Sequence, residues 1–445
     1  MPTCIVVGGG LAGLAAAAEL GRRGHRVTIL ESKARLGGRA GSFFDPVSGQ
    51  VVDACQHVSM GCCTEFERFC QTVGVGHLFA PQPVLYFMTP DRRVSRFAAD
   101  PLPAPFHLAR SFLRAHYLTR GDKLRVAWGL FHLRLVSADR DEPFLPWLRR
   151  HRQNARTIQR FWEIVLVSAL NESVERVGLK YARKVFVDAF LTDRRGFEVQ
   201  VPTVPLDRLY GDELRTWFAK HGVTIEFNAG VTAVEIQDCR VAGLRLRDGS
   251  VRVADRYILA VPAERVAALV PTAVAAHDFR ELRPSPIASV HLWWDRPITE
   301  YPHVVFVGCL GQWLFNRGAV APGEHYTQVV VSAARELRGQ GGDVARRRIE
   351  AELRQLFPAA RAAEVVRAKV VIEPAATFAP VPGVDRHRPG PRTDLDNLFL
   401  AGDWTDTGWP ATMEGAVRSG FAAACGAAAS PARMPSSKAE SDPCR

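Results

Sequence analysis

A glycine-rich turn close to the N-terminus constrains this chain more than any other feature. Residues 3 to 7 form a short apolar run typical of a buried parallel strand, and Gly8-Gly9-Gly10-Leu11-Ala12-Gly13 follows it directly. An alanine-rich stretch then predicts a helix to about Arg23. Arg26 to Leu30 predict a second strand, which finishes at Glu31. The order of strand, turn, helix and strand indicates a βαβ unit with parallel strands.

The spacing Gly8-x-Gly10-x-x-Gly13 between a strand and a helix favours a dinucleotide site. The glycines permit a tight turn and a close approach of backbone to pyrophosphate, and the helix N-terminus offers free N–H groups to that anion. An acid that ends the second strand can accept hydrogen bonds from ribose hydroxyls. We therefore predict cofactor contacts from Gly8, Gly10, Leu11, Ala12, Gly13, Glu31 and Ser32.

The segment VVDACQHVSMGCC, residues 51 to 63, raises the question of a metal or redox site. The chain has nine cysteines but no CxxC pair and no Cys/His spacing typical of zinc. We interpret the cysteines as reduced thiols and expect no metal. Since the N-terminus lacks a signal-peptide pattern and no apolar run of spanning length occurs, we expect a cytosolic protein.

Residues 101 to 160 combine basic and apolar residues at helical spacing, and the formal net charge of the chain is +11. These features predict helices that either carry a solvated basic face or rest on an anionic membrane surface. We favour peripheral attachment to the inner membrane as the more informative hypothesis. No nucleic-acid motif accompanies the charge, so we expect no nucleic-acid partner.

The rest of the chain alternates between predicted helices and strands. Helices are expected over 160–191, and the chain from 430 to 445 is expected to be disordered because it is rich in Ser, Pro and Lys. The other predicted elements are a helix over 206–221, strands within 223–261 with a hairpin turn at Asp248-Gly249, strands within 288–333, a helix over 344–356, a strand over 397–401 and a helix over 412–429.

Two further segments resemble the flavoprotein superfamily of amine oxidases and carotenoid desaturases. They are RLGGRA, residues 35 to 40, and LFLAGDWTDTGWPATMEGAVRSG, residues 398 to 420. The resemblance implies FAD, an α/β fold with a Rossmann-like FAD-binding domain of glutathione-reductase type, and a discontinuous α+β substrate domain. The expected FAD-binding domain comprises 1–80, 205–287 and 388–429, and the substrate domain 81–204 and 288–387. The further cofactor contacts it implies are Gly38, Arg39, Val231, Gly402, Asp403, Thr412 and Met413.

Within that superfamily the chain is most similar to the squalene-associated flavoenzymes of hopanoid gene clusters, the hydroxysqualene dehydroxylases. Besides the two termini, VDACQHVSMGCCTEF and residues 161 to 191 carry this resemblance. The family's Asn-Gly before Gln-His is Ala54-Cys55 here, so the local backbone is expected to differ. The resemblance implies reductive removal of the hydroxyl from a thirty-carbon allylic alcohol.

For this reaction an acid must assist the departing hydroxyl. We predict His57 as the first candidate, with Gln56 orienting it or the hydroxyl, and Glu163 and Asn171 as second choices. The sequence identifies no electron donor. The alternatives are a phytoene-type desaturase, a flavin amine oxidase and a non-enzymatic prenyl-binding chaperone of the same fold. An amine oxidase usually requires a lysine and an aromatic pair beside the flavin.

Overall fold

The structure is a computed structural model that describes residues 1–46 and 49–429. Its strands are β1 Thr3–Val7, β2 Arg26–Leu30, β3 Ser42–Asp45, β4 Gln50–Asp53, β5 Ser59–Met60, β6 Phe79–Gln82, β7 Val84–Met88, β8 Val94–Ala98, β9 Val199–Pro202, β10 Val223–Glu226, β11 Val231–Gln237, β12 Arg240–Leu246, β13 Val251–Arg252, β14 Arg256–Leu259, β15 Pro284–Trp294, β16 His303–Phe306, β17 Trp313–Ala321, β18 Glu324–Val331, β19 Val365–Phe378 and β20 Leu398–Leu400.

Helices alternate with these strands along the sequence. They are α1 Leu11–Arg22, α2 Thr64–Thr72, α3 Ala109–Arg114, α4 Arg120–Leu135, α5 Phe144–Arg150, α6 Ala155–Thr157, α7 Glu163–Leu170, α8 Leu179–Arg183, α9 Leu206–Leu209, α10 Asp212–Lys220, α11 Ala263–Leu269, α12 Arg335–Arg338, α13 Gly342–Leu356, α14 Pro358–Ala362 and α15 Met413–Ala429. Two π-helical segments, Ile158–Trp162 and Lys184–Thr192, border α7 and α8.

A five-stranded parallel sheet carries the predicted βαβ unit. Its order is β10-β2-β1-β14-β20, so segments from the beginning, middle and end of the chain pair side by side. The strands are short, and the three at β1, β14 and β20 are almost completely buried, as strands covered on both faces must be. The carboxyl ends of β1 and β2 deliver the glycine turn and Glu31 to one edge of this sheet.

The strands β11, β12 and β13 form a separate antiparallel sheet. The predicted hairpin turn at Asp248-Gly249 is confirmed between β12 and β13, where Gly249 has a φ of +85° that favours glycine. Asp248 Oδ1 accepts a 2.9 Å hydrogen bond from the Ser250 N–H and fixes the turn.

A seven-stranded sheet of order β19-β15-β18-β17-β16-β7-β8 forms the other half of the molecule. It is antiparallel except for the pair β16 and β7, and helices α12 to α14 pack against it through their apolar residues. The strands predicted within 288–333 are confirmed, although β15 begins at Pro284, before the expected boundary at residue 287. The division of the chain into two domains stays a prediction.

Several elements of the structure differ from the sequence prediction. The single helix predicted over 206–221 is wrong, because the chain forms α9 and α10 with an interruption at Tyr210 and Gly211. Strands β5, β6 and β9, which pair across long sequence separations, were not predicted. The expected disordered segment 430–445 lies outside the described residues.

Candidate active site

A cavity of about 880 Å³ lies where the parallel sheet, helix α7, the seven-stranded sheet and the start of α15 meet. Its lining includes the glycine turn, the segment from Ala54 to Val58, and residues 402–404 and 411–413. The first and last predicted cofactor segments therefore face one common space, although they are nearly 400 residues apart in sequence.

Each glycine of the fingerprint meets a different constraint. Gly8 has a φ of +109°, and a Cβ atom there would lie 2.4 Å from the carbonyl oxygen of Ala260. A Cβ atom on Gly13 would lie 2.0 Å from the oxygen of Gly8, so Gly13 permits close packing of helix on strand and is not part of the cavity lining. Gly10 does line the cavity, and its added Cβ would meet only the Gly38 Cα, at 3.9 Å.

Two helix N-termini are directed at the cavity. Helix α1 has Gly10 as its N-cap without a side-chain cap, and Leu11 and Ala12 line the cavity. Helix α15 begins beside Thr412, whose Oγ1 accepts a 3.1 Å hydrogen bond from the Gly415 N–H as a helix cap does. First-turn N–H groups have no partner within their own helix and attract negative charge, so this end of the cavity suits an anion.

Glu31 stabilises the glycine turn through a hydrogen bond to its backbone. Its Oε2 accepts a 2.7 Å hydrogen bond from the Gly9 N–H, and its Oε1 accepts one of 2.8 Å from the Lys33 N–H and one of 3.2 Å from the Ser32 hydroxyl. Glu31 is buried and also lines the cavity, where its remaining lone pairs can accept hydrogen bonds from a ligand. The sequence did not indicate its structural part in the turn.

Arg39 and Asp403 form a direct link between the two cofactor segments. The Arg39 Nη2 lies 2.6 Å from Asp403 Oδ1, and Nη1 donates a 2.9 Å hydrogen bond to the Ala376 carbonyl in β19. The Asp403 carboxylate raises the pKa of Arg39, which stays charged. Both residues and Gly38 line the cavity. The Arg39 guanidinium therefore connects the segment 35–40 with the loop that follows β20 and with β19 of the seven-stranded sheet.

Gly402 and Val231 also lie in the lining. The Gly402 N–H donates to the Ser419 hydroxyl at 2.8 Å, and a Cβ atom on Gly402 would lie 2.1 Å from Trp404 Nε1. The Val231 carbonyl accepts a 2.8 Å hydrogen bond from Arg265, another cavity residue that sequence reasoning did not identify. This contact fixes the strand β11 at the cavity edge.

His57 and Gln56 both face the cavity, on the segment that follows β4. The Nδ1 of His57 lies 2.9 Å from the Cys55 carbonyl, which requires Nδ1 to carry the proton and leaves Nε2 for a ligand. Burial lowers the pKa of His57, while the Cys55 carbonyl and the Asp53 charge act in the opposite direction. The imidazole is therefore neutral near pH 7.

Gln56 carries an unused acceptor. Its Nε2 donates a weak 3.4 Å hydrogen bond to the His57 carbonyl, but its Oε1 is buried and has no hydrogen-bond partner. Buried amide oxygens are normally satisfied, so this atom is suited to a ligand that donates a hydrogen bond.

The cysteines of the same segment are free thiols. Burial raises the pKa of Cys55 to about 12, which keeps that thiol protonated. Within the described residues no three His, Cys, Asp or Glu side chains converge as ligands of a metal ion would.

The two second-choice acids occupy different environments. Glu163 lies at the start of α7 outside the cavity lining, and burial raises its pKa. Asn171 does line the cavity, but its side chain is fully engaged. It donates to the Ser285 carbonyl at 2.9 Å and to Thr377 Oγ1 at 3.0 Å, and it accepts from the Ala333 N–H at 2.6 Å.

Most of the remaining lining is apolar and was not identified from the sequence. It comes from α7, the second π-helical segment, strand β9 and the seven-stranded sheet: Leu85, Phe87, Ile164, Val165, Phe190, Val199, Val305, Trp313 and Phe315. No motif marks these residues, because an apolar residue at any of these positions is what an ordinary hydrophobic core would also contain. Together they form an apolar extension of the polar, glycine-lined end.

The flavin-containing amine oxidoreductase family matches residues 11–428. A 15-cis-phytoene desaturase of an Oncidium hybrid cultivar is 27% identical over 94% of this chain and 76% of its own length, and a hydroxysqualene dehydroxylase of Zymomonas mobilis is 26% identical over 94% and 97%. The fold is also that of an oxidoreductase from Methanosarcina mazei, with a TM-score of 0.72 at 18% identity over 94% of this chain and 99% of the other.

The residues at the polar end fit the cofactor of such proteins. The paired helix N-termini suit a pyrophosphate, the cavity-lining Glu31 suits ribose hydroxyls, and Gly10 leaves space beside the turn. These features agree with the family match, which covers most of the chain. The chain thus belongs to the flavin-containing amine oxidoreductase family and is an FAD-dependent oxidoreductase.

Proposed function

We propose that this enzyme reductively removes the hydroxyl group of hydroxysqualene to give squalene. The observation that carries the proposal is the cavity itself, which is apolar over much of its lining but presents His57 and the unpartnered Gln56 Oε1. A pure hydrocarbon substrate would leave such an acceptor unsatisfied, whereas an alcohol satisfies it.

FAD would be held at the polar end. The first turn of α1 would face the pyrophosphate, Glu31 the ribose, Val231 the adenine, and Arg39, Asp403 and the N-terminus of α15 the remaining part of the cofactor. The five-stranded parallel sheet with its separate three-stranded sheet supports the assignment of this domain to the glutathione-reductase type.

The proposed reaction replaces a C–O bond by a C–H bond, so it consumes a hydride and a proton and releases water. Reduced FAD supplies the hydride when it is bound. Gln56 Oε1 accepts a hydrogen bond from the substrate hydroxyl and orients it. His57, held by the Cys55 carbonyl, takes up a proton at Nε2 and donates it to the departing oxygen. Departure of the oxygen would leave an allylic cation on the substrate, and the apolar lining accommodates the carbon chain and excludes water from that cation.

A phytoene-type desaturase is the second candidate, because relatives of that name are as similar in sequence.

Two observations disfavour an amine oxidase. Lys33 is the lysine of the lining within the described residues, and it lies beside Glu31. Trp404 lines the cavity, but Trp409 instead contacts Lys184 and Arg418 outside it. The FAD-dependent family disfavours the non-enzymatic chaperone.

The two leading candidates differ in the direction of electron flow. Purified enzyme would be incubated without oxygen, with hydroxysqualene and chemically reduced flavin in one series and with phytoene and oxidised flavin in the other. Squalene formed in the first series supports the proposal. Desaturated product in the second, without squalene in the first, would reject it in favour of the desaturase.

We also propose that the enzyme binds the surface of an anionic membrane, because so apolar a substrate would be dissolved in the bilayer. No helix in the described part of the chain combines the length and apolar content needed to cross a bilayer. Helix α4 instead exposes an apolar stripe at intervals of four, three and four residues, namely Leu124, Trp128, Phe131 and Leu135. We call these four residues the α4 stripe.

The surroundings of the α4 stripe support a membrane rather than a protein partner. Leu113 and Phe106 are also exposed nearby in sequence, and the arginines of the same region are exposed: Arg110, Arg114, Arg120, Arg125 and Arg134. Apolar side chains surrounded by basic ones match the boundary between acyl chains and anionic headgroups.

Sedimentation with lipid vesicles tests this surface. The double variant Leu124→Glu/Phe131→Glu should lower binding to anionic vesicles at least tenfold, since burying each such side chain contributes about 1.5–3 kcal/mol. Val253→Glu is the matched control, because Val253 is equally exposed but lies beyond β13 in another part of the fold. Equal binding of both variants and the wild type would refute the proposed surface.

A further inference from the structure

Ser168 carries a second unsatisfied polar atom in the cavity. The residue lies in α7 and lines the cavity, and its Oγ is buried without a hydrogen-bond partner. A serine in a helix commonly donates to the carbonyl four residues earlier, but Ser168 makes no such bond. A buried hydroxyl without a partner is unfavourable, so its presence among apolar residues requires a reason.

The position of Ser168 along the cavity follows from its neighbours. One turn towards the C-terminus, Asn171 bonds to Thr377, which follows Ala376, the residue that accepts a hydrogen bond from Arg39. Arg39 in turn holds Asp403. The C-terminal turn of α7 is therefore connected, contact by contact, to the polar end of the cavity.

One turn towards the N-terminus, Ile164 lies on the same face of the helix and also lines the cavity. Ile164 packs in an apolar cluster with Leu85, Phe87 and Val305. Ser168 thus lies between the polar end, where the cofactor would bind, and the apolar extension.

We propose that Ser168 is a specificity-determining residue that binds the oxygen of an oxygen-bearing isoprenoid. This inference rests on the proposed function, which supplies an alcohol as substrate. The Ser168 hydroxyl donates a hydrogen bond to the substrate oxygen, while the substrate hydroxyl donates its own proton to an acceptor such as Gln56 Oε1. A hydrocarbon of the same length offers Ser168 no partner and gains nothing from it.

The donated hydrogen bond also matches the chemistry. The substrate oxygen becomes more basic as its C–O bond lengthens, and a hydrogen bond to it then strengthens. Ser168 keeps its own proton, because the proton that completes the water is assigned to His57. Ser168 accordingly selects and orients the alcohol, and no covalent step passes through it.

Binding to the oxidised enzyme, loaded with FAD, tests Ser168 without turnover. Hydroxysqualene and squalene are titrated separately, and the change in flavin absorbance is followed. Ser168→Ala should weaken the binding of hydroxysqualene about five- to tenfold, the usual effect of losing one neutral hydrogen bond, and leave squalene unchanged. Ser173→Ala, the same change beyond the end of α7 and outside the cavity lining, should leave both ligands unchanged.

Each outcome is decisive for one of the two proposals. If Ser168→Ala binds hydroxysqualene as the wild type does, or weakens both ligands equally, the role of Ser168 is rejected even where the wild type forms squalene. If the alcohol is selectively weakened but the wild type forms no squalene from it under reducing conditions, the proposed reaction is rejected and the binding role of Ser168 stands.

Discussion

At the scale of single residues, His57 illustrates how burial sets the conditions for chemistry. Its Nδ1 is committed to the Cys55 carbonyl, so any proton that it donates must come from Nε2. Burial lowers the pKa of His57 from its ordinary value of about 6.5, so the imidazolium is scarce at neutral pH but is a strong acid when it forms.

This environment predicts a pH dependence. If protonated His57 supplies the proton, turnover with reduced flavin should rise up to about tenfold for each pH unit below 7, until the pH reaches the lowered pKa. His57→Gln should remove this rise. His77→Gln, a change at an exposed histidine outside the cavity, should preserve it. A rise that persists in His57→Gln would assign the acid role elsewhere.

The limits of sequence reasoning are clear for individual residues. Arg39 and Asp403 were identified because each belongs to a recognisable segment, but their 2.6 Å contact joins positions 364 residues apart and has no local signal. Ser168 belongs to an apolar helical pattern in which a serine carries no information. Only the packed structure shows that its hydroxyl is buried and unpartnered beside a cavity.

At the scale of elements, the end of α7 shows why Asn171 is better explained as a connector than as an acid. Asn171 ends the helix in the left-handed region, with φ of +55°, which asparagine tolerates better than most residues. Its three hydrogen bonds tie α7 to β15, β19 and the chain after β18.

Two substitutions separate these contributions. Asn171→Gly removes three side-chain hydrogen bonds but leaves the backbone unstrained, because glycine adopts a positive φ readily. It should lower the free energy of unfolding by about 2–4 kcal/mol. Asn171→Ala should lower it by a further 1 kcal/mol or so, because alanine is strained at positive φ. Denaturant unfolding measures both. Unchanged stability with lost turnover in either variant would instead support the original catalytic hypothesis.

The crossing of α1 and α15 brings the two helix N-termini together at the cavity. A Cβ atom on Gly420 would lie 2.2 Å from the Ala12 carbonyl oxygen and 2.9 Å from the Ala16 nitrogen. The helices can approach this closely only because residue 420 has no side chain. Gly420 therefore helps to place Thr412 and Leu11 in the lining of one cavity.

Gly420→Ala should push these helices apart and destabilise the fold by about 1–3 kcal/mol, as overpacking does. It should also weaken FAD binding, because both helix N-termini move. Gly339→Ala is a suitable control, since a methyl group there meets nothing within 4 Å. The midpoint of thermal unfolding and the fraction of bound flavin test this. Wild-type values for both in Gly420→Ala would contradict the proposed placement.

The elements that sequence predicted well have strong local signals. Helix α1 has its glycine turn and Gly24, and α15 has the capping residue Thr412, so both agree with expectation to within about one residue. The break between α9 and α10 was missed because the apolar spacing continues across Gly211. The four-residue strand β9 becomes a strand only through its partners β5 and β6, which lie more than 100 residues earlier.

At the scale of the whole molecule, the segment just before the α4 stripe packs in an apolar cluster that also supplies part of the cavity lining. Ala115, Tyr117 and Leu118 precede α4 and are buried in the same cluster as Ile164 and Leu85, which line the cavity. The chain between α3 and α4 thus touches the apolar end of the cavity on its inner side, while the flanking helices expose Leu113 and Leu124. This arrangement suits a substrate that passes from a membrane into the protein.

If substrate enters this way, the route of supply should decide how much the α4 stripe matters. Leu124→Glu/Phe131→Glu should lose most of its turnover when hydroxysqualene is presented in anionic vesicles, because the enzyme no longer docks there. The same variant should match the wild type when the substrate is dispersed in detergent, because the cavity is unchanged. High salt should weaken vesicle-supported turnover of the wild type, since screening reduces attraction between the arginines and anionic lipid. Equal losses in vesicles and detergent would mean that the substitutions damage the cavity, and would remove the proposed link between membrane surface and active site.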